Sequence, residues 1–280
     1  MESNYRRVAP GKGAAPYIGG KRMLARRIIE RIESLPHAVY AEVFVGMGGV
    51  FFRRRFAPKA EVINDRSRDV ATFFRVLQRH HQAFLDEMKW KLGSRAEFQR
   101  LMDVDPDTLT DLERSARFYY LQKLAFGGKV AGRNFGVDSS SPSGFNIVRL
   151  ASELQDIHER LSGVTIECLD FEAFLDRYDR PGALFYLDPP YWGSEGDYGK
   201  GAFCRDDFGR LANRLRNLKG HFLLSLNDTP GVRECFEGFD FEEVHLTYTI
   251  TGAGAKQAAE LIIADCPCPA GSQVGQGNLI

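Results

Sequence analysis

Five short apolar runs limit the fold of this chain more than any other feature of its sequence. The runs are Val39–Val45, Glu61–Ile63, Thr165–Leu169, Ala183–Leu187 and Phe222–Leu226. Runs of this kind suit strands that are buried on both faces of a parallel sheet. The first is followed by a glycine-rich turn, and the other four by an acid or an amide. Since an open α/β sheet binds its ligand at the carboxyl ends of its strands, we expect these polar residues to lie at one site.

Helical patterns lie between the runs and fill the middle of the chain. Apolar residues at helical spacing predict an amphipathic helix over Arg22–Leu35, and another helix is predicted from Val50, after the glycine turn. Residues 66–163 are mostly helical in pattern, with a capping box at Thr110 and Glu113. Glycines and serines predict a loop over residues 127–146.

The end of the chain has a different pattern. Apolar and polar residues alternate over Val244–Ile250, which can pair with the run Leu261–Ala264 as an antiparallel hairpin. Residues 266–280 are rich in glycine, proline and serine, which predicts a disordered tail. We therefore predict an α/β fold with a mostly parallel sheet. Residues 1–65 and 164–265 would form one domain, and residues 66–163 an inserted helical subdomain.

Composition and charge narrow the class of protein. With 44% hydrophobic and 26% charged residues, the chain is not collagen-like, coiled-coil or wholly disordered. Its net charge is zero, yet residues 1–60 carry 12 basic and 4 acidic side chains, whereas residues 164–280 carry 10 and 18. This asymmetry is compatible with a polyanionic partner. Basic patches would bind its phosphates with moderate affinity, and salt would weaken that binding.

The cysteines, histidines and apolar stretches favour a cytoplasmic protein without a metal site. Five cysteines with no Cys-x-x-Cys pair do not form the pattern of a disulfide framework, and six histidines show no metal-ligand spacing. The N-terminus lacks the apolar core of a signal peptide, and the longest apolar stretch is too short to span a bilayer. We therefore predict no metal and no membrane partner.

The glycine turn Gly46–Gly49 and the acid Asp65 have the spacing of a nucleoside-binding site. Such a turn lets the backbone approach a ligand, and an acid about twenty residues later can accept hydrogen bonds from ribose hydroxyls. The dinucleotide fingerprint needs a third glycine where this chain has Phe51, which favours a nucleoside cofactor without phosphates. A turn that only reverses the chain is the alternative.

The tetrapeptide Asp188-Pro189-Pro190-Tyr191 directly follows a predicted strand. Its prolines hold Asp188 extended and fix a rigid turn that presents the carboxylate, the Pro189 carbonyl and the Tyr191 ring together. Two acceptors beside an aromatic face form a receptor for a planar amino group. Prolines that only end the strand are the alternative.

Five motifs in one order carry a resemblance to a known family. They are Tyr17–Lys21, Phe44–Gly48, Asn64–Asp65, Asp170–Phe171 and Asp188–Tyr191. In these motifs the chain resembles the DNA adenine methylase (Dam-like) family of S-adenosylmethionine-dependent N6-adenine DNA methyltransferases. The resemblance implies a Rossmann-like methyltransferase sheet, with target recognition by residues 66–163.

The resemblance also implies a cofactor, a partner and roles for single residues. S-adenosylmethionine would contact Tyr17, Lys21, Phe44, Gly46, Gly48, Asp65 and Asp188, with Asp170 and Phe171 beside its adenine. Double-stranded DNA would be the partner, and Asp188, Pro189, Pro190 and Tyr191 would be the catalytic residues. The protein would be bacterial or phage-encoded and associated with the nucleoid. The resemblance does not determine whether a cognate restriction nuclease is a partner.

In the implied reaction, a methyl group passes to the exocyclic amino group of an adenine that is flipped out of the duplex. Asp188 and the Pro189 carbonyl would hold the amino protons and stabilise the developing positive charge. Tyr191 would stack on the flipped base. Trp192 would close over the base together with the loop Gly193–Phe203, or it would be a packing residue.

A polar loop provides the predicted DNA contacts outside the site. Lys129, Arg133 and Asn134 are side chains of the kind that meets phosphates or base edges. Family members that read GATC carry an Asn-Gly-Leu-Cys-Arg-Tyr-Asn-like stretch here, whereas this chain has Phe126–Asn134. The resemblance therefore does not extend to GATC specificity.

Three other functions fit the same residues. Similar four-residue motifs serve methyltransferases that act on an RNA adenine or on a protein amide. A catalytically silent DNA-binding module is an alternative of another class. A methylation assay with RNA or protein in place of DNA distinguishes the first two functions from DNA methylation. DNA binding without cofactor binding would indicate the silent DNA-binding module.

Overall fold

The computed structural model describes residues 5–21, 23–136, 145–199, 201–250 and 254–266, without the side chains of residues 246–250 and 254–258. Two predicted segments lie partly outside the described residues. They are the tail beyond Cys266 and residues 137–144 of the predicted loop.

Among the described residues there are nine strands, and the sequence patterns predicted seven of them. They are β1 (Arg6–Arg7), β2 (Val39–Glu42), β3 (Phe56–Ala57), β4 (Ala60–Asn64), β5 (Thr165–Glu167), β6 (Ala183–Leu187), β7 (His221–Asn227), β8 (Asp240–Ile250) and β9 (Gly254–Ala264).

Helices connect the strands and fill residues 68–160. They are α1 (Ala25–Ser34), α2 (Arg68–Met88), α3 (Arg95–Met102), α4 (Asp111–Leu124), α5 (Ile147–Arg160), α6 (Phe171–Tyr178), α7 (Arg205–Leu215) and α8 (Pro230–Cys235). The predicted capping box is confirmed: Thr110 and Glu113 bond each other's backbone N–H groups at the start of α4. This box satisfies two donors that a helix start leaves without intrahelical partners.

Seven strands form one sheet in the order β5-β4-β2-β6-β7-β9-β8. The first five in this order are parallel, and β9 pairs antiparallel with both β7 and β8. The predicted α/β sheet with an antiparallel C-terminal hairpin is confirmed. The chain runs from β2 outward to β4 and β5 and then returns to β6 on the other side of β2. The ligand crevice of such a sheet therefore lies at the carboxyl ends of β2 and β6.

Both faces of the sheet are covered, which explains why its central strands are apolar throughout. On one face, Tyr40 and Leu184 pack in a core formed with α1, α2, α4 and α5. On the other face, Ala41 and Phe185 pack with α6, α7 and α8. Successive residues of a strand point to opposite faces. The helices of residues 68–160 thus share a core with the first face of the sheet.

The helix predicted from Val50 is wrong. The structure has a single 3-10 turn, Phe51–Arg53, because Arg54 is extended and buries its guanidinium against Glu61. The chain then forms β3, which pairs with β1 in a two-stranded ribbon that the sequence patterns did not indicate. The first helix begins at Ala25 rather than at the predicted residue 22.

Candidate active site

A cavity of about 800 Å³ lies at the carboxyl ends of β2, β4 and β6. Its lining includes seven residues that the sequence singled out: Tyr17, Lys21, Phe44, Gly46, Asp65, Asp188 and Pro190. Five more adjoin the lining without being part of it: Gly48, Pro189, Tyr191, Asp170 and Phe171. The crossover between β2 and β6 therefore brings residues from distant parts of the sequence to one place.

Asp188 follows β6 and lies in a buried polar network. Its Oδ1 atom accepts hydrogen bonds from Lys21 Nζ at 2.7 Å and from Ser225 Oγ at 3.0 Å. The Ser225 hydroxyl in turn lies 2.9 Å from the Tyr186 hydroxyl. Burial raises the pKa of Asp188, while the positive charge of Lys21 acts against this shift. The network therefore holds a carboxylate whose affinity for protons is increased.

Tyr191 shares the same lysine. Lys21 Nζ donates a hydrogen bond to the Tyr191 hydroxyl at 2.6 Å, and it lies 4.1 Å from the centre of the ring. The Tyr191 hydroxyl donates to Glu260 Oε2 of β9, also at 2.6 Å. Lys21 is only 5% exposed, so its charge acts in a nearly dry environment.

Trp192 is a packing residue rather than a closing lid. Its ring lies 4.9 Å from the ring of Phe208, and it fills the space into which a side chain at Gly231 would project. Its backbone N–H donates to Asn227 Oδ1 at 2.9 Å. These contacts fix the turn after Asp188 against α7 and α8.

The glycine turn after β2 folds tightly around Tyr17. Gly46 and Gly48 have φ angles of 51° and 74°, in the left-handed region that favours glycine. A Cβ atom at Gly46 would lie 2.9 Å from Tyr17 Cε1, so the aromatic ring packs directly on the turn. Gly46 N donates to Asp65 Oδ2 at 2.9 Å, which ties the turn to the end of β4.

Asp65 is a half-buried acid whose two oxygens both accept backbone hydrogen bonds. Its second oxygen accepts a hydrogen bond from Ser67 N at 2.8 Å. Burial raises the pKa of Asp65 to about 6, and the two backbone hydrogen bonds act against the shift. A fixed acceptor beside a glycine turn can bind hydroxyl groups of a ligand.

An aromatic cluster forms the next part of the wall. Phe44 lies 6.2 Å from Phe171 and 6.0 Å from Phe203, measured between ring centres. Phe171 is buried behind Phe44. Asp170 caps α6 by accepting a hydrogen bond from Glu172 N at 3.1 Å. Of these residues only Phe44 lines the cavity itself, where it offers an apolar face to a planar ligand.

The three residues of the predicted DNA loop do not line the cavity. Lys129 and Asn134 are exposed, whereas Arg133 is half-buried. Arg133 donates to Gln122 Oε1 at 3.0 Å, and Gln122 Nε2 donates to the Pro16 carbonyl at 2.7 Å. Burial lowers the pKa of Arg133. Its guanidinium therefore joins the loop to α4 and the N-terminal segment.

Sequence reasoning missed several residues of the cavity. Glu42, at the end of β2, is 2% exposed and accepts a hydrogen bond from the Tyr40 hydroxyl at 2.7 Å. An acid inside an apolar run was the signal that could have revealed it. Lys123 of α4 and Arg149 of α5 line the cavity on either side of Glu153, at 3.6 Å and 3.0 Å from its carboxylate. No local pattern distinguishes these two from other helix charges.

Among the described residues, no helix combines the length and apolar character needed to cross a membrane.

Comparison with known proteins agrees with the geometry of the cavity. A family model for D12 class N6 adenine-specific DNA methyltransferases matches residues 17–250. The chain is 24% identical over 241 residues to the type II methyltransferase M.CviBI of Paramecium bursaria Chlorella virus NC1A, covering 85% of this chain and 91% of that protein. It is 26% identical over 262 residues to the type II methyltransferase M1.LlaDCHI of Lactococcus lactis subsp. cremoris, covering 87% and 89%.

A third relative is the retron Ec67 DNA adenine methylase of Escherichia coli, which is 27% identical over 161 residues, 56% of each protein. The family model spans most of the chain, and its range contains the turn after β2, Asp65 and the Asp-Pro-Pro-Tyr turn. The protein therefore belongs to the D12 class N6 adenine-specific DNA methyltransferase family.

Proposed function

We propose that this protein transfers the methyl group of S-adenosylmethionine to the N6 amino group of adenine in double-stranded DNA, and that the reaction takes place in the cavity between β2 and β6. The observation that carries the proposal is the position of Asp188. It lies at the carboxyl end of the central strand, in the cavity, with Lys21 at 2.7 Å and the Tyr191 ring beside that lysine. The family gives the reaction class.

The donors and acceptors of the cavity suit S-adenosylmethionine. Asp65 would accept hydrogen bonds from the ribose, and Phe44 would pack on the adenine, supported from behind by Phe171. Gly46 lets the Tyr17 ring pack directly on the turn, because a side chain at this position would overlap the ring. A volume of about 800 Å³ suits such a ligand, since small-molecule sites measure about 300–1,000 Å³. When bound, the cofactor supplies a methyl group that is activated by a sulfonium charge.

Asp188 and Pro189 would make the adenine nitrogen a better nucleophile. The lone pair of this nitrogen is delocalised into the ring. A carboxylate and a carbonyl that accept hydrogen bonds from its two N–H groups localise the lone pair and stabilise the positive charge that develops. The raised pKa of Asp188 suits a group that takes up a proton, and Ser225 and Lys21 keep its carboxylate in one orientation. Alignment and electrostatics supply the catalysis.

The adenine must leave the duplex to reach Asp188, because enzymes that act on a stacked base have to extrude it. Tyr191 would then stack on the flipped base. We assign target recognition to the helical residues 66–163, where the exposed Lys129 and Asn134 contact DNA and Arg133 holds their loop in place. Lys123 and Arg149, which share the carboxylate of Glu153, add a net positive charge to the cavity lining. The recognition sequence would differ from GATC, since the residues of this loop differ.

The test uses labelled S-adenosylmethionine and unmethylated double-stranded DNA of mixed sequence. We expect N6-methyladenine as the product, and a loss of about 10²–10⁴-fold in Asp188→Asn, because the amide cannot take up the amino proton and lacks the negative charge that stabilises the developing positive charge. Asp176→Asn, on the exposed surface of α6, is the matched control and keeps full activity. Sequencing of DNA from an expressing host would give the recognition sequence.

Other acceptors in the same assay separate the alternatives. Label on RNA or on a protein amide, with none on DNA, would refute the proposal in favour of those substrates. DNA binding without a cofactor-induced thermal shift would instead indicate a catalytically silent binding module.

A further inference from the structure

The Tyr191 hydroxyl is held from strand β9, which has no role in the reaction described above. It donates a hydrogen bond to Glu260 Oε2 at 2.6 Å and accepts one from Lys21 Nζ, also at 2.6 Å. Lys21 Nζ in turn contacts Asp188 Oδ1 at 2.7 Å. The four side chains form a continuous chain of polar contacts from β9 to the carboxylate at the end of β6.

Glu260 stands out from its neighbours in the strand. It is 4% exposed, and the next three residues, Leu261–Ile263, are apolar and buried. A buried carboxylate costs free energy unless hydrogen bonds or an opposite charge compensate for it. Tyr191 supplies such a hydrogen bond, and Lys21 places a positive charge one contact further on. The acid at this position is thus linked to the turn after β6 rather than to the apolar packing of β9.

The charges around Tyr191 determine the direction of its O–H bond. Burial, together with the carboxylates of Asp188 and Glu260, raises the pKa of Tyr191 well above its usual value, so the phenol keeps its proton. A carboxylate only accepts hydrogen bonds and an ammonium group only donates them. The proton therefore points to Glu260, and a lone pair faces Lys21.

A residue of the adjacent strand holds the backbone of the same turn. Asn227 of β7 pairs in register with Glu260 of β9. Its side chain accepts a hydrogen bond from Trp192 N at 2.9 Å and donates one to Trp192 O at 3.0 Å. The turn is thus fixed at its backbone by β7 and at the Tyr191 ring by β9.

From these contacts we propose that Glu260 is a positioning residue for Tyr191. Its carboxylate anchors the hydroxyl end of the ring on which the target base stacks. The proposal rests on the proposed function, because it gives Tyr191 the contact with the flipped adenine. A ring that is ordered before the base arrives reduces the entropy that is lost on capture.

The test compares Glu260→Ala, Glu260→Gln, Tyr191→Phe and the double variant Tyr191→Phe/Glu260→Ala. Glu260→Ala is expected to lower kcat/KM for DNA on the order of 10²-fold, because the ring loses its anchor. Glu260→Gln keeps a carbonyl oxygen that can accept the phenolic proton, so it restores most of the activity. In the Tyr191→Phe background the alanine change has little further effect, since the hydroxyl is already absent.

Two outcomes would overturn the proposal. One is an equal loss from Glu260→Ala in both backgrounds, and the other is a loss in Glu260→Gln as large as in Glu260→Ala. Where the alanine variant does not fold, Glu260→Asp takes its place, because it keeps the charge and withdraws it by one methylene group.

A fluorescent base gives a readout that a merely structural role would not move. DNA with 2-aminopurine at the target position is expected to be brighter with Glu260→Ala than with the wild type, because the flipped base stacks less well on Tyr191. Cofactor affinity stays unchanged. The exposed Glu237→Ala is the matched control and leaves both quantities as in the wild type. Equal brightness in Glu260→Ala and wild type contradicts the proposal.

The urea midpoints of the wild type, Glu260→Ala, Tyr191→Phe and the double variant separate this inference from the proposed function. A wild type that methylates no DNA refutes the proposed function, whatever the variants do. The Glu260–Tyr191 contact is then tested by the additivity of the stability losses. A double variant whose loss of stability is smaller than the sum of the two single losses supports the contact. Additive losses of stability overturn it.

Discussion

Glu42 and Asp188 are two carboxyl groups in one cavity, and their surroundings differ. Asp188 contacts a lysine ammonium at 2.7 Å, whereas Glu42 accepts a hydrogen bond from the neutral Tyr40 hydroxyl. Burial raises the pKa of Glu42 to about 8, and the Tyr40 hydrogen bond acts against the shift. Near neutral pH the cavity thus holds one carboxyl that a cation stabilises in its charged form and one that burial keeps protonated.

The protonation of Glu42 makes stability depend on pH. Glu42 has its ordinary pKa near 4.5 in the unfolded chain and about 8 in the folded one. Between these values the folded state binds more protons, so this group lowers the free energy of unfolding as pH rises through the window. Glu42→Gln removes the effect. We expect the variant to match the wild type near pH 4.5 and to be more stable by a few kcal/mol at pH 9.

Urea unfolding at pH 4.5 and pH 9 measures this difference. The exposed Glu234→Gln is the control, and its difference from the wild type should not grow with pH. A stability gap for Glu42→Gln that is equal at both pH values would show that folding does not raise the pKa of Glu42.

At the scale of elements, the turn between β2 and the following 3-10 turn is tightly constrained. Gly46 and Gly48 have left-handed backbone, and a side chain at either position would overlap an aromatic ring. A Cβ atom at Gly48 would lie 2.2 Å from Phe52 Cε2. The glycine turn was evident from sequence, but the short helix after it was not, because Arg54 leaves the helical path for a partner that lies outside the local pattern.

Gly48→Ala should therefore destabilise the protein more than the same substitution at another glycine with left-handed backbone. Gly163→Ala is the matched control, because its φ of 79° is close to the 74° of Gly48 while nothing lies within 4 Å of a Cβ atom there. The control costs about 1–2 kcal/mol for the left-handed backbone alone, and Gly48→Ala costs about 1–3 kcal/mol more because of the overlap. Equal shifts of the urea midpoint would mean that Phe52 moves away freely.

At the scale of the whole molecule, a buried ion triad joins the helical block to the sheet. Glu61 of β4 binds Arg54 at 2.7 Å and Arg160 of α5 at 2.6 Å. All three side chains are at least nine-tenths buried. Residues 66–163 are therefore attached to the sheet by charge as well as by the shared apolar core. This attachment keeps the cationic residues of α4 and α5 in the lining of the cavity.

Glu61→Gln should destabilise the whole fold. Two buried guanidinium groups would lose their counter-charge, and breaking a buried pair in this way costs about 3–5 kcal/mol. The surface pair formed by Glu97 and Arg100 provides the control. Glu97→Gln leaves no buried charge without a counter-charge, so it should shift the urea midpoint little. A small effect of Glu61→Gln in urea unfolding would indicate that water reaches the triad.

The sequence by itself determined the sheet, the glycine turn, the Asp-Pro-Pro-Tyr turn and the family. These features depend on residues that are neighbours in the sequence. About five consecutive apolar residues indicate a buried strand, and the motifs of the family follow one another in a fixed order along the chain. They were sufficient to place Asp65 and Asp188 at one edge, because parallel strands bring their carboxyl ends together.

Only the tertiary structure decided which side chains hold the site in place. Lys21 and Tyr191 are 170 positions apart, and Tyr191 and Glu260 are 69 apart, yet each pair is joined by a 2.6 Å hydrogen bond. Similarly, the sequence predicted Arg133 as a DNA contact in a polar loop, whereas in the structure its guanidinium donates a hydrogen bond to Gln122. Such contacts depend on strand order and register, which bring distant residues together without leaving a pattern along the chain.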